Sequence, residues 1–173
     1  MEIEYLRNYA LLVVLKRLKL QCCAGHIEPL VEFIHKDEIE AFHFDGHLLN
    51  DSDTKRVLFN FLQGRAHQQG AQAVIFGWDA YCLLKNPEAM RRVDPDELKE
   101  LDLDRLVALG LGRKYEVINI VVQTPIFVLS IEQPYERING SIRFGDIQTF
   151  DDSKTGVRLM GGMSMFKDSL AVA

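Results

Sequence analysis

Residues Ala73 to Leu84 are apolar on both faces of an extended chain: Val74, Phe76, Trp78 and Cys82 alternate to one side, and Ile75, Tyr81 and Leu83 to the other. A strand of this kind belongs in the middle of a sheet, because both of its faces have to leave water. Asp79 is its one charged residue. The rest of the chain must supply the neighbours and the covering layer.

Several segments read as those neighbours. Ile39 to Leu48 alternates, with Phe42 and Phe44 on one face and His43, Asp45 and His47 on the other. Tyr115 to Thr124 alternates Ile118, Ile120 and Val122 against Asn119 and Gln123, and Pro125 separates it from a further strand over Ile126 to Gln133. Asn139-Gly140 is the sharpest local signal, since both residues tolerate the positive φ of a tight hairpin turn. It joins Tyr135–Ile138 to Ser141–Phe144.

Helices are expected from Ile3 to Leu20, through Pro29 to His35 (with Leu30, Val31 and Ile34 inward), and after the capping residues Asp51 to Asp53, ending at Gly70. The first has acids at its start, bases at its end and no Gly or Pro. Its apolar residues spread over more surface than one core stripe needs, so it is either deeply buried or packed against another chain. From Asn86 to Gly112 a charged helical excursion begins at Asn86-Pro87 and Asp94-Pro95, with Leu98, Leu101, Leu106 and Leu109 available to hold it to the sheet. If the helix after Asp53 links two directly paired strands, that crossover is parallel and right-handed.

The fold class is therefore α+β: a mixed, mainly antiparallel sheet of about five strands with helices packed on one face. Residues 1–150 form one domain, and 151–173, which mix glycine, methionine and small residues without a period, form a loosely ordered tail. At 173 residues, 47% hydrophobic and 26% charged, the chain can bury a core unaided.

Function is far less constrained. A net charge of −5 argues against general nucleic-acid or anionic-membrane binding. Lys16, Arg17 and Lys19 are explained by the negative end of a helix. Ala10 to Leu15 is too short to cross a bilayer, and Glu2 and Glu4 do not suit a secretory signal. Cys22, Cys23 and Cys82 form no disulfide or zinc spacing, which fits a reducing cytoplasm.

Two constellations merit comparison with structure. His43, Asp45 and His47 on one strand face, with Asp79 from a neighbouring strand, form a divalent-metal ligand set, leaving Glu40 or Asp53 as an outer acid beside an activated water. The plainer reading is a solvated strand face. Trp78, Asp79 and Tyr81 form an aromatic pocket wall with one polar group, as in small-ligand sites. Core packing also explains the two rings. Cys22 or Cys23 beside His26 resembles a nucleophile pair only in sequence, and no phosphate-binding loop or nucleophile elbow occurs.

Because no catalytic set outweighs its structural explanation, the expectation is a non-catalytic binding or interaction module. It needs no cofactor and self-associates through the first helix or a strand edge. A metal-dependent hydrolase-like enzyme and a small-ligand binder are the alternatives.

Overall fold

The computed structural model describes residues 2–36, 38–99, 101–151 and 165–166. The first helix comprises α1 (Ile3–Tyr9), a π-helical segment (Ala10–Val14) and α2 (Leu15–Cys23). Then come β1 (Leu30–Ile34), β2 (Ile39–His43), a 3₁₀ turn (Gly46–Leu49), α3 (Ser52–Gln68) and β3 (Ala73–Lys85). The excursion holds α4 (Pro87–Met90), α5 (Pro95–Lys99) and α6 (Leu103–Ala108), before β4 (Gly112–Gln123), β5 (Val128–Ile138), β6 (Ser141–Phe144) and β7 (Gln148–Asp151).

The architecture is α+β, and every strand pairing is antiparallel, in the order β2-β1-β3-β4-β5-β6 with β7 also on β5. The sheet has seven strands rather than about five. One of the additions is β1, where a helix is expected. Leu30, Val31, Phe33 and Ile34 are all buried, so this short run is apolar on both faces, a pattern that periodicity cannot separate from a helix. By inserting between β2 and β3, β1 also removes their direct pairing. They remain parallel to each other, joined by α3, with β1 antiparallel to both.

Both faces of the sheet are covered, not one. Leu6, Ala10, Val14, Leu18 and Cys22 of the first helix pack on Ile75, Ile118, Ile120 and Ile131. On the opposite face Phe59, Leu62 and Ala66 of α3 pack on Val31, Phe33, Val74 and Phe76. Met165 joins this second core, its backbone N–H donating to Gln123 Oε1 at 2.8 Å. The expected loose tail otherwise lies outside the described residues.

The π-helical segment follows from the sequence of the buried stripe. Leu6, Ala10, Val14, Leu18 and Cys22 recur every four residues, and in an α-helix each such step overshoots a full turn by about 40°. Five members would drift about 160° around the cylinder, whereas one extra residue in a wide turn winds back about 100°. The wide turn keeps the stripe on the sheet. Where the helix crosses β3, Gly77 makes room: a Cβ there would stand 2.8 Å from Leu18 Cδ1. Beneath the helix Glu32 is fully buried, and Arg17 Nη1 meets its Oε1 at 2.5 Å. Burial and the nearby Glu32 charge push the Tyr9 hydroxyl up to about 12.

Other boundaries follow local chemistry. Asn139 (φ 49°) and Gly140 (φ 78°) make the expected hairpin turn. The two strands expected on either side of Pro134 are one, β5. Proline fits there because the outer partner changes from β7, which pairs through Glu132, to β6, which begins at Tyr135. In the excursion Asn86, Asp94 and Asp102 accept backbone N–H groups as caps. Leu111, not the largely exposed Leu109, is buried at its base. Among the described residues no helix is long and apolar enough to cross a membrane.

Candidate functional site

The candidate site is a notch in the sheet. β1 pairs with β3 only from Ala73 to Gly77, while β3 continues to Lys85 with β4 alone beside it. Among the described residues no backbone hydrogen bond meets the open edge of Trp78–Lys85. The first helix also stops short. α2 ends at Cys23, Gly25 turns the chain with φ 103°, and Asp79 and Tyr81, on the same strand face as Gly77, emerge beyond its cover. The segment from Gly25 to Pro29 and the 3₁₀ turn wall the resulting recess of about 870 Å³.

Its floor is polar. Strand register sets Tyr81 opposite Glu116 and Glu116 opposite Tyr135, which places all three on the face under the first helix. The Tyr135 hydroxyl donates to Glu116 Oε1 at 3.3 Å, and Arg137 Nε donates to the same oxygen at 3.4 Å. The Arg137 guanidinium lies 5.5 Å from the Tyr135 ring centroid. Burial pushes the Tyr135 hydroxyl well above its usual value, with Asp79, Cys22 and Glu116 adding to the rise. Burial likewise raises the Cys22 thiol, which makes it a core group and a poor nucleophile.

Asp79 differs from its neighbours. Glu116 is paired with Arg137, but Asp79 has no ion pair among the described residues. The residue as a whole is solvent-exposed, and it lines the recess. Partial burial of the carboxyl raises its pKa, and the Glu116 charge adds to it. A backbone hydrogen bond, Tyr135 and Arg137 offset only part. The result is a carboxyl at the mouth of a cavity with a raised proton affinity and no ion pair among the described residues.

Of the proposed metal ligands, Asp45, His47 and Asp79 border the recess and His43 does not. The alternation over Ile39 to Leu48 ends at His43, because the chain turns into the 3₁₀ helix. Asp45 caps that turn, its Oδ1 accepting from the His47 N–H at 2.9 Å. His47 Nδ1 faces Asn50 Nδ2 at 3.4 Å, and His43 Nδ1 lies 3.8 Å from Glu28 Oε2. Among the described residues no group of three or more His, Cys, Asp or Glu is placed to hold a metal ion. The two outer acids are engaged elsewhere, Glu40 with Arg65 and Asp53 with Arg56 at 3.2 Å.

All three proposed pocket residues border the recess, but not as one wall. Asp79 and Tyr81 share a face, and Lys114 Nζ lies 4.1 Å from the Tyr81 ring centroid. Trp78 alternates to the opposite face, where its ring packs 5.0 Å from Phe76. It borders the notch because β1 no longer shields that edge. Among the described residues, none of the 86–112 excursion lines the recess. Sequence reasoning missed Glu116, Tyr135 and Arg137. Their signal is the inward alternation itself: extending Ile118, Ile120 and Val122 back two residues reaches Glu116, and extending Ile131 forward reaches Tyr135 and Arg137. Comparison with protein-family models, curated proteins and solved structures finds no match.

Proposed function

We propose that this chain is a ligand-binding domain whose site is the notch beside Trp78–Tyr81, and that it takes a small polar molecule carrying a cationic amine. Asp79 carries the reading: a partly buried carboxylate that has no ion pair among the described residues, facing a cavity of about 870 Å³. An ammonium group would supply the missing charge partner. The open β3 edge adds backbone donors and acceptors that fix orientation. The reading calls for neither a metal nor a catalytic step.

The test is titration calorimetry at pH 7.5 with putrescine, agmatine and spermidine, against succinate as an anionic control. Trp78, the sole tryptophan of the chain, borders the notch and provides an independent fluorescence readout. Amine binding that weakens at least about ten-fold in Asp79→Asn supports the assignment. Binding of succinate alone, or equal amine binding by the variant, refutes it.

A second reading, self-association through the first helix, is favoured by a groove of about 370 Å³ along that helix, lined by Leu11, Leu12, Leu15, Leu20, Phe144 and Ile147. Leu12 is 71% exposed and Leu20 65% exposed, and with the rest of the groove lining they form a contiguous apolar patch of the kind that marks an interaction surface. Groove and notch share no lining residue, so one molecule can use both.

A further inference from the structure

The winding that keeps Leu6, Ala10, Val14, Leu18 and Cys22 on the sheet has a counterpart on the other side of the helix. Residues offset by two lie about 200° away around the cylinder, nearly diametrically opposite. Those residues are Glu4, Asn8, Leu12, Lys16 and Leu20, and every one is exposed. The outward stripe therefore reads acid, amide, Leu, base, Leu from one end to the other. Its charge order complements itself only when a copy is reversed.

We propose that the occupant of the apolar groove is a second copy of this chain, its first helix lying antiparallel across the first about a twofold axis at Leu12. The inference rests on the self-association reading and adds its register. With Leu12 against Leu12, Asn8 stands across from Lys16 of the second copy and Glu4 across from Leu20. Each Glu4 is then one helical turn from the other copy's Lys16, within reach of its long side chain. The groove belongs to the Leu15–Leu20 half of the helix, so the half that enters it is the opposite one. Tyr5, 53% exposed and flanking the outward stripe, is the large side chain available to fill it. The arrangement is isologous: each copy gives one aromatic ring and receives one.

Sedimentation equilibrium on the full chain, with charge reversals and their combination, tests the register. The expected result is a dimer whose Kd rises at least about five-fold in Glu4→Lys and in Lys16→Glu, because each reversal sets two symmetry-related like-charge pairs. The combined variant, with both charges exchanged, returns to within about two-fold of the original Kd. In a Cys23→Ser background, Leu12→Cys forms an intermolecular disulfide on mild oxidation, since only a residue at the axis meets its own copy. Circular dichroism confirms that these exposed substitutions leave the fold intact. A dimer insensitive to both reversals, or one whose Leu12→Cys variant does not cross-link, overturns the register and leaves self-association standing. A protein monomeric at about 100 μM overturns both.

Discussion

Arg17→Ala should be among the most damaging single truncations of a half-exposed side chain in this protein. The Glu32 side chain is 1% exposed, its Oε1 is held by Arg17, the Tyr9 hydroxyl is nearby, and among the described residues its Oε2 has no hydrogen-bond partner. Removing Arg17 leaves a carboxylate sealed between helix and sheet with its charge partner gone, a change that typically costs 3–5 kcal/mol. The Arg17 side chain is itself 38% exposed, so part of the pair's attraction is already screened and the lower end, about 3 kcal/mol, is expected. With a urea m-value of about 2 kcal/mol/M, the unfolding midpoint should fall by about 1.5 M. Glu32→Leu should cost about 1 kcal/mol or less, because Leu matches the apolar neighbours Leu30 and Ile34 and Arg17 can turn to water. The double variant should then lie within about 1 kcal/mol of the original, so the two effects are strongly non-additive. Urea denaturation of all four proteins completes the cycle. Effects that add would refute the reasoning, since they would show that Arg17 does not act through Glu32.

Two further outcomes follow from the site and the helix contact. Asp79 titrates higher folded than unfolded, so its stabilising contribution is fully present below the unfolded value of about 3.9 and is lost as pH rises through the raised folded value. Asp79→Asn should therefore be more stable than the parent at pH 7, by a margin that solvent screening keeps small, and equal to it near pH 3. Thermal melts at the two pH values check this, and a pH-independent difference would count against it. Gly77→Ala should cost about 1–3 kcal/mol, because the new methyl meets Leu18 Cδ1 at 2.8 Å and Val14 Cγ1 at 3.6 Å. Leu18→Val in the same chain should recover part of that loss; a melt unchanged by Gly77→Ala would remove the argument for close helix approach.

The sheet was legible in the sequence wherever alternation was long or a turn was chemically marked. The two-faced pattern of β3, the inward Ile residues of β4 and the Asn139-Gly140 turn all stand where local rules put them. β1 was not legible because five residues cannot show a period, and Glu32 at its centre looks like a solvent-facing charge until Arg17, fifteen residues earlier, is seen to cover it. The site was half legible. Asp79 drew notice as the one charge in an apolar strand. Its neighbours Glu116, Tyr135 and Arg137 come from strands paired through long-range register, which no single segment encodes. The histidine alternation misled for a local reason: Asp45 is a cap, and a cap ends the strand whose periodicity the argument needed.

The open run of β3 also bears on solubility. A strand that outlasts its neighbour offers bare backbone to any extended segment it meets, the first step of edge-to-edge aggregation. A strand docking at Trp78–Tyr81 would have to bury the Asp79 carboxylate against new backbone with no countercharge, which disfavours it. A charge pointed inward at an exposed edge is a recognised guard against such pairing. On this view Asp79 screens what enters the notch: a small cation satisfies it, and another protein's β-strand does not. Neutralising it by Asp79→Asn would remove that screen together with the anchor of the proposed ligand, so the more stable variant would also be the one more prone to assemble in the wrong way.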